Sequence, residues 1–192
     1  MKDLILPVAV AIALAFLIQA AVAKPYEIPT PSMEPTIMSG DRVIANRVIY
    51  HVRDIERGDI VVFQPTDEAR NTCEPGSTSN VPFVKRVIGV PGDTIAIRMN
   101  SNEVLVNGTP FVVPDARENN ADMISESFTP SDDDTLYTLT TKVPQGKLFV
   151  MGDNRPNSCD SHQWSDPFVP IDRVIGQAEV VYWPLRHITF LK

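Results

Sequence analysis

A chain of 192 residues can hold one domain of ordinary size, with room for an elaborated lobe. Its formal charge of −7 argues against nucleic acid as a partner, because that partner would require a basic face. Seventeen prolines against nine glycines weigh against a helix bundle, since proline fixes φ and withholds a backbone donor.

Residues 1–3 form a short tail. From Leu4 to Ala23 the chain carries no charge, and only Gln19 is clearly polar. As a helix this stretch would span roughly 30 Å, the hydrocarbon thickness of a bilayer. Pro7 falls in its first turn, where a missing N–H costs little. Two readings stand side by side. One is a retained transmembrane anchor over 4–23; the other is a secretory signal cut after Ala23, because Ala21-Val22-Ala23 has the small-x-small form. Either sends residues 24–192 across a membrane. Lys2, Asp3 and Lys24 orient the segment only weakly.

Beyond Ala23 the apolar pattern is short and strand-like. Asp41–Val48, Asp59–Phe63, Phe83–Val90, Thr94–Ile97, Glu103–Val106, Thr135–Thr141, Lys147–Val150 and Ile171–Val181 are rich in Val, Ile, Thr and Phe. Arg57-Gly58-Asp59, Val90-Pro91-Gly92-Asp93 and Val106-Asn107-Gly108 punctuate them as turns. Asn107-Gly108 predicts a hairpin between Glu103–Val106 and Phe111–Val113. No soluble stretch carries long 3.6-residue periodicity, so the expected fold is mostly β, in antiparallel sheets behind one N-terminal helix. Gln64–Val81 and Ala116–Asp134 interrupt the rhythm as insertions. Between Asp115 and Asp134 seven carboxylates face the single Arg117, the pattern of a solvated loop.

Three stretches could carry chemistry. Pro29-Thr30-Pro31-Ser32-Met33-Glu34-Pro35-Thr36 restrains the backbone with three prolines, which would present Ser32 in one geometry; a proline-rich linker is the bland reading. A serine hydroxyl attacks only when a base takes its proton. The histidines number three, His51, His162 and His187. The other candidate base is Lys85, which stands within the apolar run Val81–Val90, where burial would lower its proton affinity. In a strand Lys85 shares a face with Phe83 and Val87, and an edge lysine reaching to water is the competing reading. Gly152-Asp153-Asn154-Arg155-Pro156-Asn157-Ser158-Cys159-Asp160-Ser161-His162 reads as a tight polar turn after a strand, able to fix hydroxyl and carboxylate groups.

Taken together, the stretches resemble the type I signal peptidases. That family has a Ser-Met-x-Pro-Thr box after a membrane helix, a Lys-Arg-x-x-Gly-x-Pro-Gly-Asp box and a Gly-Asp-Asn-x-x-x-Ser-x-Asp-Ser box. Here they stand as Ser32–Thr36, Lys85–Asp93 and Gly152–Ser161, with Gly40–Val43 and Arg57–Val61 in order between the first two. The resemblance runs from Leu4 to Trp183 and implies a membrane-anchored serine endopeptidase. It implies Ser32 as nucleophile and Lys85 as general base, with the Ser32 N–H and the Thr30 hydroxyl as oxyanion donors. Ser158 would orient the lysine, and Asp153 and Asp160 would support the turn that carries it. Ile28, Met33, Ile37, Phe83 and Val84 would line shallow sites that admit small side chains, selecting Ala-x-Ala endings. The implied partners are signal peptides of exported preproteins and the lipid bilayer. No cofactor or metal is implied, and the oligomeric state is left open. The catalytic domain would face the extracytoplasmic side of a plasma membrane, or of a thylakoid membrane, with residues 98–140 as a variable lobe.

Four positions depart from the family pattern: Thr30 where Ser is commoner, Pro31 where a small residue is common, Ile37 for Leu, and His162 for Arg. Any His162–Asp160 pair would be weaker than an arginine pair and sensitive to pH. Cys73 and Cys159 both fall in segments leading to the boxes, on the side of the membrane where disulfides persist; a bridge between them is one of two open possibilities. A self-cleaving repressor-type peptidase would share the Ser-Lys chemistry but needs a DNA-binding domain that has no counterpart here. The alternative of a different class is a catalytically inactive, membrane-tethered β-rich binding protein.

Overall fold

The structure is a computed structural model, and it describes residues 7, 8, 10, 22–98, 104–113 and 137–191. Its strands are β1 (Ala23–Glu27), β2 (Arg42–Asn46), β3 (Ile60–Phe63), β4 (Phe83–Gly89), β5 (Thr94–Arg98), β6 (Val104–Val106), β7 (Thr109–Pro110), β8 (Tyr137–Lys142), β9 (Lys147–Met151), β10 (Val169–Pro170), β11 (Val174–Trp183) and β12 (Thr189–Phe190). One sheet runs β1-β2-β11-β3-β4-β9-β10, with β12 paired to β11; the other runs β7-β6-β5-β8. The pairings are antiparallel.

The period-2 pattern explains how the larger sheet is covered on both faces. In β3 every residue is buried. Ile60 and Val62 enter a core with Ile28, Met33, Ile37 and Val84, whereas Val61 and Phe63 enter a second with Val87, Leu148, Val150 and Trp164. A third core joins the two sheets: Ile95, Ile97, Val104 and Val106 pack on Ile88, Phe149 and Met151. Asp93 rivets the same junction, accepting from Arg57 Nε at 2.6 Å and Asn107 Nδ2 at 2.8 Å. Those two donors and the Val90 N–H hold the Asp93 carboxyl below its ordinary range, against the upward push of burial.

Several expectations need correction. The strand expected from Ile171 opens instead on a 3-10 turn, Ile171–Arg173, before β11 begins. The Asn107-Gly108 hairpin exists, but its second strand starts at once with Thr109 rather than at Phe111; positive φ at both turn residues matches the two-residue turn. Gln64–Val81 contains a helix, α1 (Asp67–Cys73), whose Thr66 cap accepts from the Ala69 N–H at 3.1 Å. Ala23 begins β1 instead of ending a membrane helix. The acidic loop and nearly all of 4–23 lie outside the described residues. Among the described residues no helix is long and apolar enough to cross a membrane.

Gly176 marks a register shift in β11, and a Cβ there would meet the Asn46 carbonyl oxygen at 2.2 Å. Because the obstacle is backbone, Gly176→Ala should destabilise the domain by about 2–4 kcal/mol, read as a lower urea midpoint at unchanged slope.

Candidate active site

The segment carrying Ser32 is a 3-10 turn, Pro31–Met33, with proline at its first position, where no donor is needed. It is held from both sides. Met33 and Ile37, both fully buried, anchor it in the core, and the Ile37 N–H donates to the Met33 carbonyl at 2.9 Å. From outside, the Asn154 N–H donates to the Ser32 carbonyl at 3.1 Å, and Asn154 Nδ2 to the Pro31 carbonyl at 3.0 Å.

Lys85 reaches this turn from β4. Its side chain is 5% exposed, and Nζ donates to Ser32 Oγ at 2.7 Å. Thr30 Oγ1 stands 3.2 Å from the same oxygen. Burial pushes the Lys85 ammonium down to about 8, although the Asp160 and Asp153 charges pull it back up. His51 is exposed, His162 bonds to Asp160 and His187 to Asp41; among the described residues no histidine bonds to Ser32.

Asp153 connects all three boxes. It accepts from Arg86 Nε at 2.9 Å and from Arg86 Nη2 and Thr36 Oγ1 at 2.8 and 2.6 Å. Arg86 is fully buried and also donates to the Gly58 carbonyl at 2.8 Å. The third box folds around Asp160, whose Oδ2 accepts from the Gly152 N–H at 2.9 Å and the Ser158 hydroxyl at 2.6 Å. Burial would push the Asp160 carboxyl up, but His162, Ser158 and the Gly152 N–H together hold it below the ordinary range. A Cβ on Gly152 would run into both the Ser32 carbonyl and Ser158 Oγ, so only glycine lets this turn lie against Ser32.

Two expectations about this region change. Ser158 was expected to orient the lysine directly; its hydroxyl donates to Asp160 instead, and among the described residues Lys85 bonds to Ser32. Met33 and Ile37 were expected to line substrate sites, but they stand in the core behind the wall. A cleft of about 280 Å³ opens on Ser32 and Lys85, and Ile28, Thr30, Phe83 and Val84 are among its lining residues. Cys73 and Cys159 also line it and are joined by a disulfide, which ties α1 to the third box. Sequence reasoning missed Asn154, Thr36 and Arg86 as supports, although all three stand inside the boxes. Their signal was the box spacing, which does not say who bonds to whom.

The chain matches the family described as "Signal peptidase, peptidase S26" over residues 1–183. It is 38% identical over 183 residues to the "Probable signal peptidase I-2" of Synechocystis sp., covering 94% of this chain and 72% of that protein. Signal peptidase I P of Bacillus subtilis subsp. natto is 34% identical over 190 residues, covering 99% and 93%. Thylakoidal processing peptidase 1, chloroplastic, of Arabidopsis thaliana is 35% identical over 175 residues, covering 91% and 46%.

Asp153→Asn should destabilise the protein by about 3–5 kcal/mol, because it takes a carboxylate charge away from the buried Arg86 guanidinium; Thr36→Val should cost only about 1 kcal/mol. Denaturant midpoints give both. Lys85 also has a signed pH effect on stability. Below about pH 8 it is charged folded and unfolded alike, and its burial cost is felt in full. Between about 8 and lysine's ordinary value of 10.5 only the unfolded chain keeps the proton, so this contribution makes stability rise with pH. Lys85→Met should therefore stabilise the protein at neutral pH, on the order of 3 kcal/mol, and flatten that rise.

Proposed function

The chain belongs to the signal peptidase family, peptidase S26, and is a serine endopeptidase; from that membership we propose that it removes signal peptides from exported preproteins through a Ser32–Lys85 pair. The observation that carries the proposal is the 2.7 Å contact between Lys85 Nζ and Ser32 Oγ, buried at the end of an otherwise largely apolar cleft. With an ammonium lowered to about 8, Lys85 is partly a free amine near neutral pH, and can take the Ser32 proton.

In this mechanism Ser32 Oγ attacks the scissile carbonyl carbon as its proton passes to Lys85 Nζ. The tetrahedral oxyanion receives the Ser32 N–H and the Thr30 hydroxyl. Collapse breaks the C–N bond, the Lys85 proton goes to the departing amine, and an acyl-enzyme on Ser32 remains. Lys85 then takes a proton from water, whose oxygen attacks the ester; the C–Oγ bond breaks, that proton passes to Ser32 Oγ, and the signal peptide leaves with a free carboxyl group. Asp153 supports the arrangement by tying Arg86 to Thr36, and Ser158 and Asp160 by shaping the turn beside it. Ile28, Phe83 and Val84 at the cleft, backed by Met33 and Ile37, favour small side chains and hence Ala-x-Ala endings.

We place the apolar stretch from Leu4 up to the start of β1 as a single-pass anchor, with the catalytic domain on the extracytoplasmic face of a plasma or thylakoid membrane. Ser32 lies nine residues beyond Ala23, the first residue of β1, where a signal peptide leaves the bilayer. Further support comes from Trp183, Leu185, Ile188 and Phe190, large apolar residues left exposed. They cluster near β12, which is linked through β11 and β2 to β1, the strand next to the anchor.

The test is cleavage of a preprotein with an Ala-x-Ala site by the full chain in detergent or liposomes. Wild type should cut after the second alanine, and Ser32→Ala or Lys85→Ala should lower the rate at least 10³-fold. Cleavage that survives Lys85→Ala would sink the pair, and a wild type inert on several preproteins would favour a tethered binding protein.

A further inference from the structure

Asn154 stands at the entry to the 3-10 turn Arg155–Asn157, where an asparagine ordinarily closes a helical turn with its own side-chain oxygen. It makes no such capping bond. Its backbone N–H and its carboxamide both turn to the Ser32 segment instead. The N–H donates to the Ser32 carbonyl at 3.1 Å, and Nδ2 donates to the Pro31 carbonyl at 3.0 Å. A carbonyl can only accept, so the NH₂ end of the amide faces Pro31; Oδ1 then faces Asn157, whose Nδ2 donates to it at 3.1 Å.

These two contacts grip the peptide units on either side of the Ser32 Cα. The Ser32 carbonyl belongs to the unit that follows, and the Pro31 carbonyl to the unit that precedes. The preceding unit matters more for the chemistry. The Pro31 carbonyl and the Ser32 N–H share one planar, trans unit, so they point in opposite directions and turn together. Holding the oxygen therefore aims the N–H. The Glu34 N–H reaches the same oxygen at 3.1 Å, the bond that closes the turn Pro31–Met33. Two donors on one carbonyl also polarise the unit and make its N–H a stronger donor.

Resting on the Ser32–Lys85 reading, with the Ser32 N–H as oxyanion donor, we propose that Asn154 is a positioning residue: its carboxamide, oriented by Asn157, sets the direction of the Ser32 N–H through the Pro31 carbonyl. The cleft is lined by Asn157 but, among the described residues, not by Asn154, which acts through the peptide unit and not on the substrate. An aimed donor contributes most where charge develops on the oxygen, so its effect falls on the transition state and not on substrate binding. The bond from the Asn154 N–H to the Ser32 carbonyl is backbone and survives a change of side chain. Substitution at Asn154 therefore removes the aim of the Ser32 N–H while leaving the two turns joined.

The experiment compares two ligands on the full chain in detergent: a peptide aldehyde ending in Ala-x-Ala, and a peptide of the same sequence with a reduced CH₂–NH scissile bond. On the aldehyde, Ser32 Oγ adds to the carbonyl carbon, its proton passes to Lys85 Nζ, and the carbonyl oxygen becomes the oxyanion. The reduced peptide has no oxygen at that place. Asn154→Ala should weaken aldehyde binding about tenfold and lower kcat on a preprotein by a similar factor, with KM and reduced-peptide affinity within about twofold of wild type. Asn154→Asp, which gives the Pro31 carbonyl no donor, should lose at least as much. Equal weakening of both ligands, or an unchanged aldehyde affinity, would overturn the inference. Asn157→Ala frees the Asn154 amide and should act in the same direction but less; should Asn154→Ala fail to fold, an unchanged aldehyde affinity in Asn157→Ala overturns the inference in its place. A wild type that binds the aldehyde no tighter than the reduced peptide, or cleavage surviving in Lys85→Ala, would instead remove the Ser32–Lys85 reading beneath it.

Discussion

The arrangement depends on one buried ion pair, Arg86 with Asp153. Removing both charges from water costs several kcal/mol each, and their attraction repays this only when the remaining donors and acceptors are also satisfied. Here they are: Arg86 donates twice to Asp153 and once to the Gly58 carbonyl, and Asp153 also accepts from Thr36. An apolar pair of the same volume could be equally stable. It could not bring Thr36, four residues beyond Ser32, Arg86, one beyond Lys85, and Asp153, one beyond Gly152, to a single point. Directional bonds make that register, and the 2.7 Å Ser32–Lys85 contact forms next to it.

The lysine is in balance rather than simply buried. Desolvation lowers its proton affinity, and two nearby carboxylates raise it. Left unpaired, both carboxylates would draw Lys85 further toward the ammonium. Pairing Asp153 with Arg86 blunts one of them, and Ser158, His162 and the Gly152 N–H engage the other. The same residues that fix the geometry of the turn therefore also tune its chemistry.

The strand list was readable because β3, β4 and β9 are apolar runs buried on both faces, and Gly-Asp or Pro-Gly-Asp stands just before β3, after β4 and after β9. Ser32 and Lys85 were readable as a candidate pair because the boxes occur together and in order. Who bonds to Ser158 was not. A hydroxyl between Asp160 and Lys85 has two chemically sensible partners, and only the path of the turn, made possible by Gly152 lying against Ser32, selects the carboxylate. α1 escaped because seven residues give fewer than two helical turns, too few for a periodicity to appear. Met33 and Ile37 were misplaced for a related reason: an apolar residue beside a nucleophile looks the same in sequence whether it forms the wall or stands behind it.

The cleft has the same two-sided construction as the Ser32 turn. One wall, Tyr26–Ser32, is carried by β1 and the turn that follows; the other, Val81–Lys85, leads into β4. β1 and β4 belong to one sheet but are separated in it by β2, β11 and β3, so the gap between the walls is set by how that sheet curls. The Cys73–Cys159 bond joins α1, which precedes the Val81–Lys85 wall, to the third box, which holds the Ser32 turn through Asn154. The junction at Asp93 fixes the far end of β4 against the second sheet. β4 is thus restrained at both ends, and this restraint keeps Lys85 Nζ within hydrogen-bonding distance of Ser32 Oγ.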